Sequence, residues 1–148
     1  VMLIRKATLN DIDFIRKELK AGDIYYNTKY KLSEASESYQ KEKLEMLINT
    51  QVFLIAEIDY IPVGYILAVG SKHFFNPEIR KLDVLLWWVK EEYRKTRAGY
   101  LLLKTVVKFG KENFDWIWMG VNIDAQIKNE SLEKLGFKNK EKTYLGKQ

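Results

Sequence analysis

Along this chain the spacing of apolar positions switches between a period of two and the helical period of about 3.6, and each switch marks an element. Residues 2–7 read as a strand, and Thr8-Leu9-Asn10-Asp11 then resembles a capping box at a helix start. Ile12, Ile15 and Leu19, with Phe14 beside them, recur at helical spacing, and Ala21-Gly22-Asp23 predicts the stop. Residues 24–32 hold Tyr25, Tyr26 and Tyr30 with no clean period; residues 33–38 are rich in helix-starting side chains and predict a helix to about residue 49. Tyrosines on such a connection can line a substrate mouth or pack as a lid over the core, and Tyr26 and Tyr30 are the candidates for substrate contact.

Residues 51–58 form an apolar, β-branched run that predicts a strand; a turn at residues 59–62 leads into a second strand over residues 63–69, making an antiparallel hairpin. A polar connection follows over residues 70–81, with His73 as an exposed loop residue. Residues 83–89 then predict a strand, residues 90–97 a basic loop carrying Arg94, Lys95 and Arg97, and residues 98–113 an amphipathic helix. Another strand is predicted over residues 115–121, a loop over 122–126, a short helix over 128–135 closed by Gly136, and a last strand from Phe137 to near Tyr144. The strand-helix-strand passage from residue 83 to 121 is a right-handed crossover that makes its strands parallel, so the sheet is mixed. Trp87, Trp88, Trp116 and Trp118 are expected to stack in the core around the joining helix.

A basic loop ahead of a helix is an anion-binding arrangement, because first-turn N–H groups lack carbonyl partners and the helix dipole adds about half a positive charge there. The chain carries 25 Lys and Arg against 20 Asp and Glu, for a net charge of +5. That balance suits nucleic acid, a membrane surface or a phosphorylated cofactor, and charge alone does not choose among them. Its 148 residues, 47% hydrophobic and 30% charged, fit one globular domain spanning residues 1–148. No apolar run approaches the roughly 18 residues of a membrane span, and no export signal or cysteine is visible, so the expected location is cytoplasmic with no membrane partner. With no Cys and one His, thiolate nucleophiles and His/Cys zinc sites are excluded and no metal is expected. The glycine and serine motifs of P-loops, dinucleotide folds and serine hydrolases are likewise missing.

With these residues laid out, the chain resembles the GCN5-related N-acetyltransferase (GNAT) superfamily over nearly its whole length. The family carries [RQ]-x-x-G-x-[GA] after a strand; here Val89-Lys90-Glu91-Glu92-Tyr93-Arg94 precedes Lys95-Thr96-Arg97-Ala98-Gly99, with Arg97 at the first glycine and Glu91 where proline is common. Leu132-Glu133-Lys134-Leu135-Gly136-Phe137 is similar to the family's short helix ending in Gly-Phe. The resemblance implies a three-layer α/β (α+β) fold, with a mixed, mostly antiparallel sheet of about six to seven strands and about four helices.

It also implies an acetyl-CoA-dependent acetyltransferase acting on a primary amine of an unidentified small-molecule or protein acceptor, by direct attack in a ternary complex. The resemblance assigns acetyl-CoA to Trp87, Trp88, Val89, Arg94, Lys95, Thr96, Arg97, Ala98, Gly99, Tyr100 and Asn122. Backbone N–H groups of the loop would cradle the pyrophosphate. Arg97 fits the glycine position if its φ is negative. Asp83 matches a fourth-strand glutamate used as a base by some members, and by strict alternation shares a face with Leu85, Trp87 and Val89. The helix tyrosine that serves as acid in the family corresponds to Leu132, so Tyr144 is the substitute candidate. A homodimer is compatible with the family. Two alternatives stay open: a non-catalytic protein of this fold that binds CoA or nucleic acid, and a transferase acting on a nucleic-acid base.

Overall fold

The hairpin at the centre of the chain sets the sheet. β2 (Val52–Ile58) and β3 (Ile61–Lys72) are joined by Asp59 and Tyr60, both at positive φ (49° and 68°), the two-residue turn whose twist matches that of the flanking strands. The computed structural model describes residues 1–26, 34–122, 125 and 127–146. Among these, β1 (Met2–Lys6) pairs antiparallel with β2, β3 pairs antiparallel with β4 (Arg80–Val89), and β4 pairs parallel with β5 (Trp116–Met119). The order is β1-β2-β3-β4-β5.

Helices cover both faces. On one, α3 (Ala98–Asn113) lays Leu102, Leu103, Val106 and Val107 against Ile66, Ala68, Leu82 and Val84. On the other, α1 (Ile12–Tyr25) and α2 (Glu37–Thr50) bring Ile15, Leu44 and Ile48 onto Phe53, Ile55, Tyr65, Leu67 and Trp88. Each helix buries the stripe that its period-3.6 pattern defines. Ser36 caps α2 by accepting from the Tyr39 amide. α4 (Asn129–Lys134) closes as a Schellman turn, with Gly136 at φ 93° and the Phe137 amide donating to the Leu132 carbonyl. No helix among the described residues is long and apolar enough to cross a membrane.

Four expectations are corrected. α1 does not stop at residues 21–23 but runs through Gly22 to Tyr25, because a glycine in mid-helix costs only about 1 kcal/mol and this one faces the Trp88 ring. The sheet has five strands among the described residues rather than six or seven, and residues 137–146 form none. The Lys138-Asn139-Lys140-Glu141-Lys142 stretch there has no apolar alternation to bury, and only Phe137 reaches the α3-side core. Trp116 and Trp118 are not in the core: Trp116 is 40% exposed, its ring lies 6.2 Å from that of Trp118, and both line a cleft of about 530 Å³ against residues 136–141. Finally, β4 does not alternate strictly. Leu67 lies opposite Leu86 but Ala68 opposite Val84, so Leu85 is an extra, bulged residue, 60% exposed. Before it Leu82 and Val84 face α3; after it Leu86 and Trp88 face α1 and α2, while Trp87 and Val89 face α3. Asp83, paired with Val69 of the α1-side layer, therefore lies on the opposite face from Trp87 and Val89.

Candidate active site

The bulge coincides with the end of strand pairing. β4 runs to Val89, but its last partner on β5 is Met119, opposite Val84. Beyond that point residues 85–89 have β3 on one edge and, among the described residues, no strand on the other. The Lys90 amide donates to the Val63 carbonyl of β3 at 2.8 Å. In a trans peptide the Val89 carbonyl must then point the other way, into the opening, and in an extended strand the Val89 N–H points with it. The end of β4 thus offers both a donor and an acceptor to whatever enters between the parted strands.

A cationic turn closes this opening at the top. Glu91–Tyr93 form a short 3-10 turn, and the chain reaches α3 through Arg94, Lys95, Thr96 and Arg97. The Thr96 hydroxyl donates to the Tyr93 carbonyl and accepts from the Ala98 amide at 3.2 Å, which fixes the loop while leaving the Gly99 and Tyr100 N–H groups at the free helix end. Arg97 takes φ −84° and ψ 5°, a conformation open to any side chain, so it stands at the usual glycine position without strain. Its guanidinium lies 5.5 Å from the Tyr100 ring centroid, and it and Lys95 are exposed. The Trp87 indole N–H donates to the Gly99 carbonyl at 3.0 Å, which ties the strand end to the first turn of α3. Ala98, fully buried, seats that turn on the core.

Arg94 turns the other way. Its Nε donates to the Val89 carbonyl at 2.9 Å, and its guanidinium carbon lies 4.2 Å from the Tyr25 ring centroid and 4.4 Å from that of Trp88. Nη2 is buried and has no hydrogen-bond partner among the described residues. On the same side the Trp88 indole N–H donates to Glu18, itself 5% exposed, at 3.0 Å, and Tyr26 packs edge-on against Tyr25 and Trp88. Burial, followed by the negative charges of Glu18 and Asp23, pushes the Tyr65 hydroxyl well above its usual range and keeps it neutral.

The remaining candidates are spread out. Asp83 is half-buried one residue before the strands part, with Lys81 Nζ 3.8 Å from its carboxylate. Asn122 lies just past β5 with its carbonyl accepting from Ala125. Tyr144 is 81% exposed in a segment that belongs to no strand. Tyr30 falls outside the described residues. Sequence reasoning missed Glu18 and left Tyr25 among the loop tyrosines without its contact to Arg94; Glu18 stands three residues after buried Ile15 on the inward stripe of α1, and that spacing was the available signal.

A sequence profile described as the Acetyltransferase (GNAT) family matches residues 20–137. The chain belongs to the GNAT acetyltransferase family. A search among curated proteins finds no match. Solved structures of other GNAT proteins share the fold at low identity. A predicted acetyltransferase from Clostridium acetobutylicum, solved with acetyl-CoA, is 17% identical, with 98% of this chain and 95% of that one covered and a TM-score of 0.75. An aminoglycoside acetyltransferase from an uncultured soil metagenomic sample, in complex with trehalose, is 13% identical (99% and 95% covered, TM-score 0.73). Glucosamine-6-phosphate N-acetyltransferase from Arabidopsis thaliana is 13% identical (99% and 98% covered, TM-score 0.72). In this GNAT protein the parted strands, the cationic turn and the α3 N-terminus meet in one place.

Proposed function

We propose that this protein is an acetyl-CoA-dependent N-acetyltransferase that passes the acetyl group to a primary amine by direct attack in a ternary complex. The observation that carries the reading is the parting of β4 from β5 beside a cationic turn that opens α3. The Gly99 and Tyr100 amides at the start of α3, with the charges of Lys95 and Arg97, take the pyrophosphate. The free edge of β4 at Trp87, Trp88 and Val89 takes the pantetheine amides in the way a neighbouring strand would, and Asn122 borders the far wall. The Val89 N–H meets the thioester oxygen as it gains charge. Asp83 is the proposed base for the incoming ammonium and Tyr144 the proposed acid for the departing thiolate; Tyr26 is the proposed contact on the acceptor side. The acceptor is a small amine or a protein amine.

Calorimetry with acetyl-CoA tests the reading. One-to-one binding in the micromolar range, weakened about tenfold or more in a Lys95→Glu, Arg97→Glu variant, is expected. A wild-type protein that takes up no acetyl-CoA would sink it.

A further inference from the structure

The hairpin tip between β3 and β4 carries two large apolar side chains that the core does not use. Phe74 and Phe75 are 90% and 87% exposed, and their rings meet edge-on at 4.9 Å. A single exposed phenylalanine is ordinary, whereas an adjacent pair on an ordered tip marks a contact surface. The tip is ordered by its own bonds. The His73 amide donates to the Ile79 carbonyl at 2.8 Å, the Phe75 amide to His73 Nδ1 at 3.1 Å and the Glu78 amide to Asn76 Oδ1 at 3.1 Å. The Asn76 and Ile79 amides donate to the His73 and Asn76 carbonyls, and Pro77 has no amide to satisfy. Five backbone donors of the tip are thus met without water. Cations stand at its base, where Lys72 lies opposite Arg80 in the last rung of the hairpin and both are exposed. Beside it the Trp116 ring lies 5.2 Å from that of His73.

We propose that this tip docks the protein on an anionic bilayer surface. Phe74 and Phe75 enter the boundary between headgroups and acyl chains, Lys72 and Arg80 meet lipid phosphates, and Trp116 lies beside them as an amphipathic ring suited to that depth. Three features favour a bilayer over a protein or nucleic-acid partner. The rings project, and a bilayer takes a projecting tip anywhere on its surface, whereas a protein must supply a matching recess. The backbone donors are already satisfied, which lowers the cost of leaving water and leaves few for a partner chain to use. The two rings stand edge-on, so they offer no pair of parallel faces for successive bases. Two adjacent phenylalanines are far too short a run to cross a membrane, and they enter its surface only. Glu78 is the acidic side chain of the tip and opposes docking. The ten residues of β4 span about 30 Å, so a docked tip leaves the cationic turn at the far end of the strand open.

The test sediments the full chain with vesicles of phosphatidylcholine containing about a quarter phosphatidylglycerol, and with phosphatidylcholine alone. Wild type should pellet with the anionic vesicles and bind phosphatidylcholine about tenfold more weakly. Phe74→Ser, Phe75→Ser should lose about tenfold or more on the anionic vesicles, and Glu78→Gln should bind them more tightly. All these side chains are exposed, so thermal melts of the variants should match wild type. A wild type that stays in the supernatant with both vesicles would overturn the proposal. So would anionic-vesicle binding that the serine variant retains, which would be adsorption by charge alone. Two further results would reassign the tip and overturn its docking on lipid. One is binding of a mixed-sequence single-stranded oligonucleotide, lost in the serine variant, by a protein that ignores vesicles. The other is a dimer in analytical ultracentrifugation, again lost in that variant and again without vesicle binding.

Discussion

Gly64 is the position where packing and the proposed chemistry are most tightly joined. It lies opposite Val89, and a methyl group there would stand 2.7 Å from the Trp88 carbonyl oxygen, 3.0 Å from Val89 Cγ2 and 3.2 Å from Val89 Cα. A comfortable carbon–oxygen approach is about 3.3 Å, so Gly64→Ala forces β4 back by about half an ångström. Two of the three atoms in the way are backbone and cannot rotate aside. Overpacking of this kind costs about 1–3 kcal/mol. Replacing a strand glycine by alanine returns about 0.5–1 kcal/mol. The net expectation is a loss of about 1–2 kcal/mol, read as a lower urea midpoint at unchanged slope. The displaced atoms include the Val89 N–H. Since a misplacement of 1 Å can cost about a hundredfold in rate, half of that predicts about tenfold in turnover. A variant with wild-type stability, acetyl-CoA affinity and turnover would refute the packing argument and the role given to the strand end together.

Gly22→Ala should act in the opposite sense, raising stability by about 0.5–1 kcal/mol in a thermal melt. The added methyl meets only the Trp88 ring, at 3.7 Å, and helix propensity improves. Trp88→Phe should cost about 1–3 kcal/mol in urea unfolding because buried Glu18 loses its indole donor, whereas Glu18→Gln, which can still accept that bond, should cost under about 1 kcal/mol. Burial pulls the Asp11 carboxyl upward, but hydrogen bonds from Arg5 and the Thr8 amide, with the Arg5 charge, outweigh it and hold it below the usual range. Its contribution is thus present above the unfolded value near 3.9 and is lost as the pH falls through the lower folded value. Asp11→Asn should flatten the acid limb of the stability profile, and an unaltered limb would count against this. With an acceptor in hand, Asp83→Asn and Tyr144→Phe should each lower kcat about tenfold or more at unchanged acetyl-CoA affinity. If kcat is unchanged in both, positioning alone accounts for catalysis.

The stretch from β4 through the cationic turn to α3 was legible because every signal in it is local. An apolar run, three basic side chains and a 3.6-period helix starting at Ala98 need no distant partner to be recognised. The α4 stop was legible for the same reason, since Gly136 alone supplies the left-handed residue. Helix propensity misled at Gly22, where packing against Trp88 carries the helix one turn further. At residues 137–146 a strand was expected after the α4 stop, yet nothing apolar alternates to support one.

By itself, then, the sequence determined which segments are helix or strand around the candidate site, the sign of its charge and the family to which it belongs, because these follow from spacing and residue type along one stretch of chain. Tertiary structure decided the face of Asp83, the direction of Arg94 and the surroundings of the tryptophans. The run Leu82-Asp83-Val84-Leu85-Leu86-Trp87-Trp88-Val89 contains no glycine or proline to mark Leu85 as a bulge. The extra residue exists only because β3 pairs with β4 on both sides of it in different phase, and one added residue turns every later side chain to the other face. The sequence places Arg94 at the [RQ] position of the motif but does not give its direction. Arg94 is singled out by Tyr25 and Trp88, which come from two other elements and whose rings, edge-on to each other, both lie against its guanidinium.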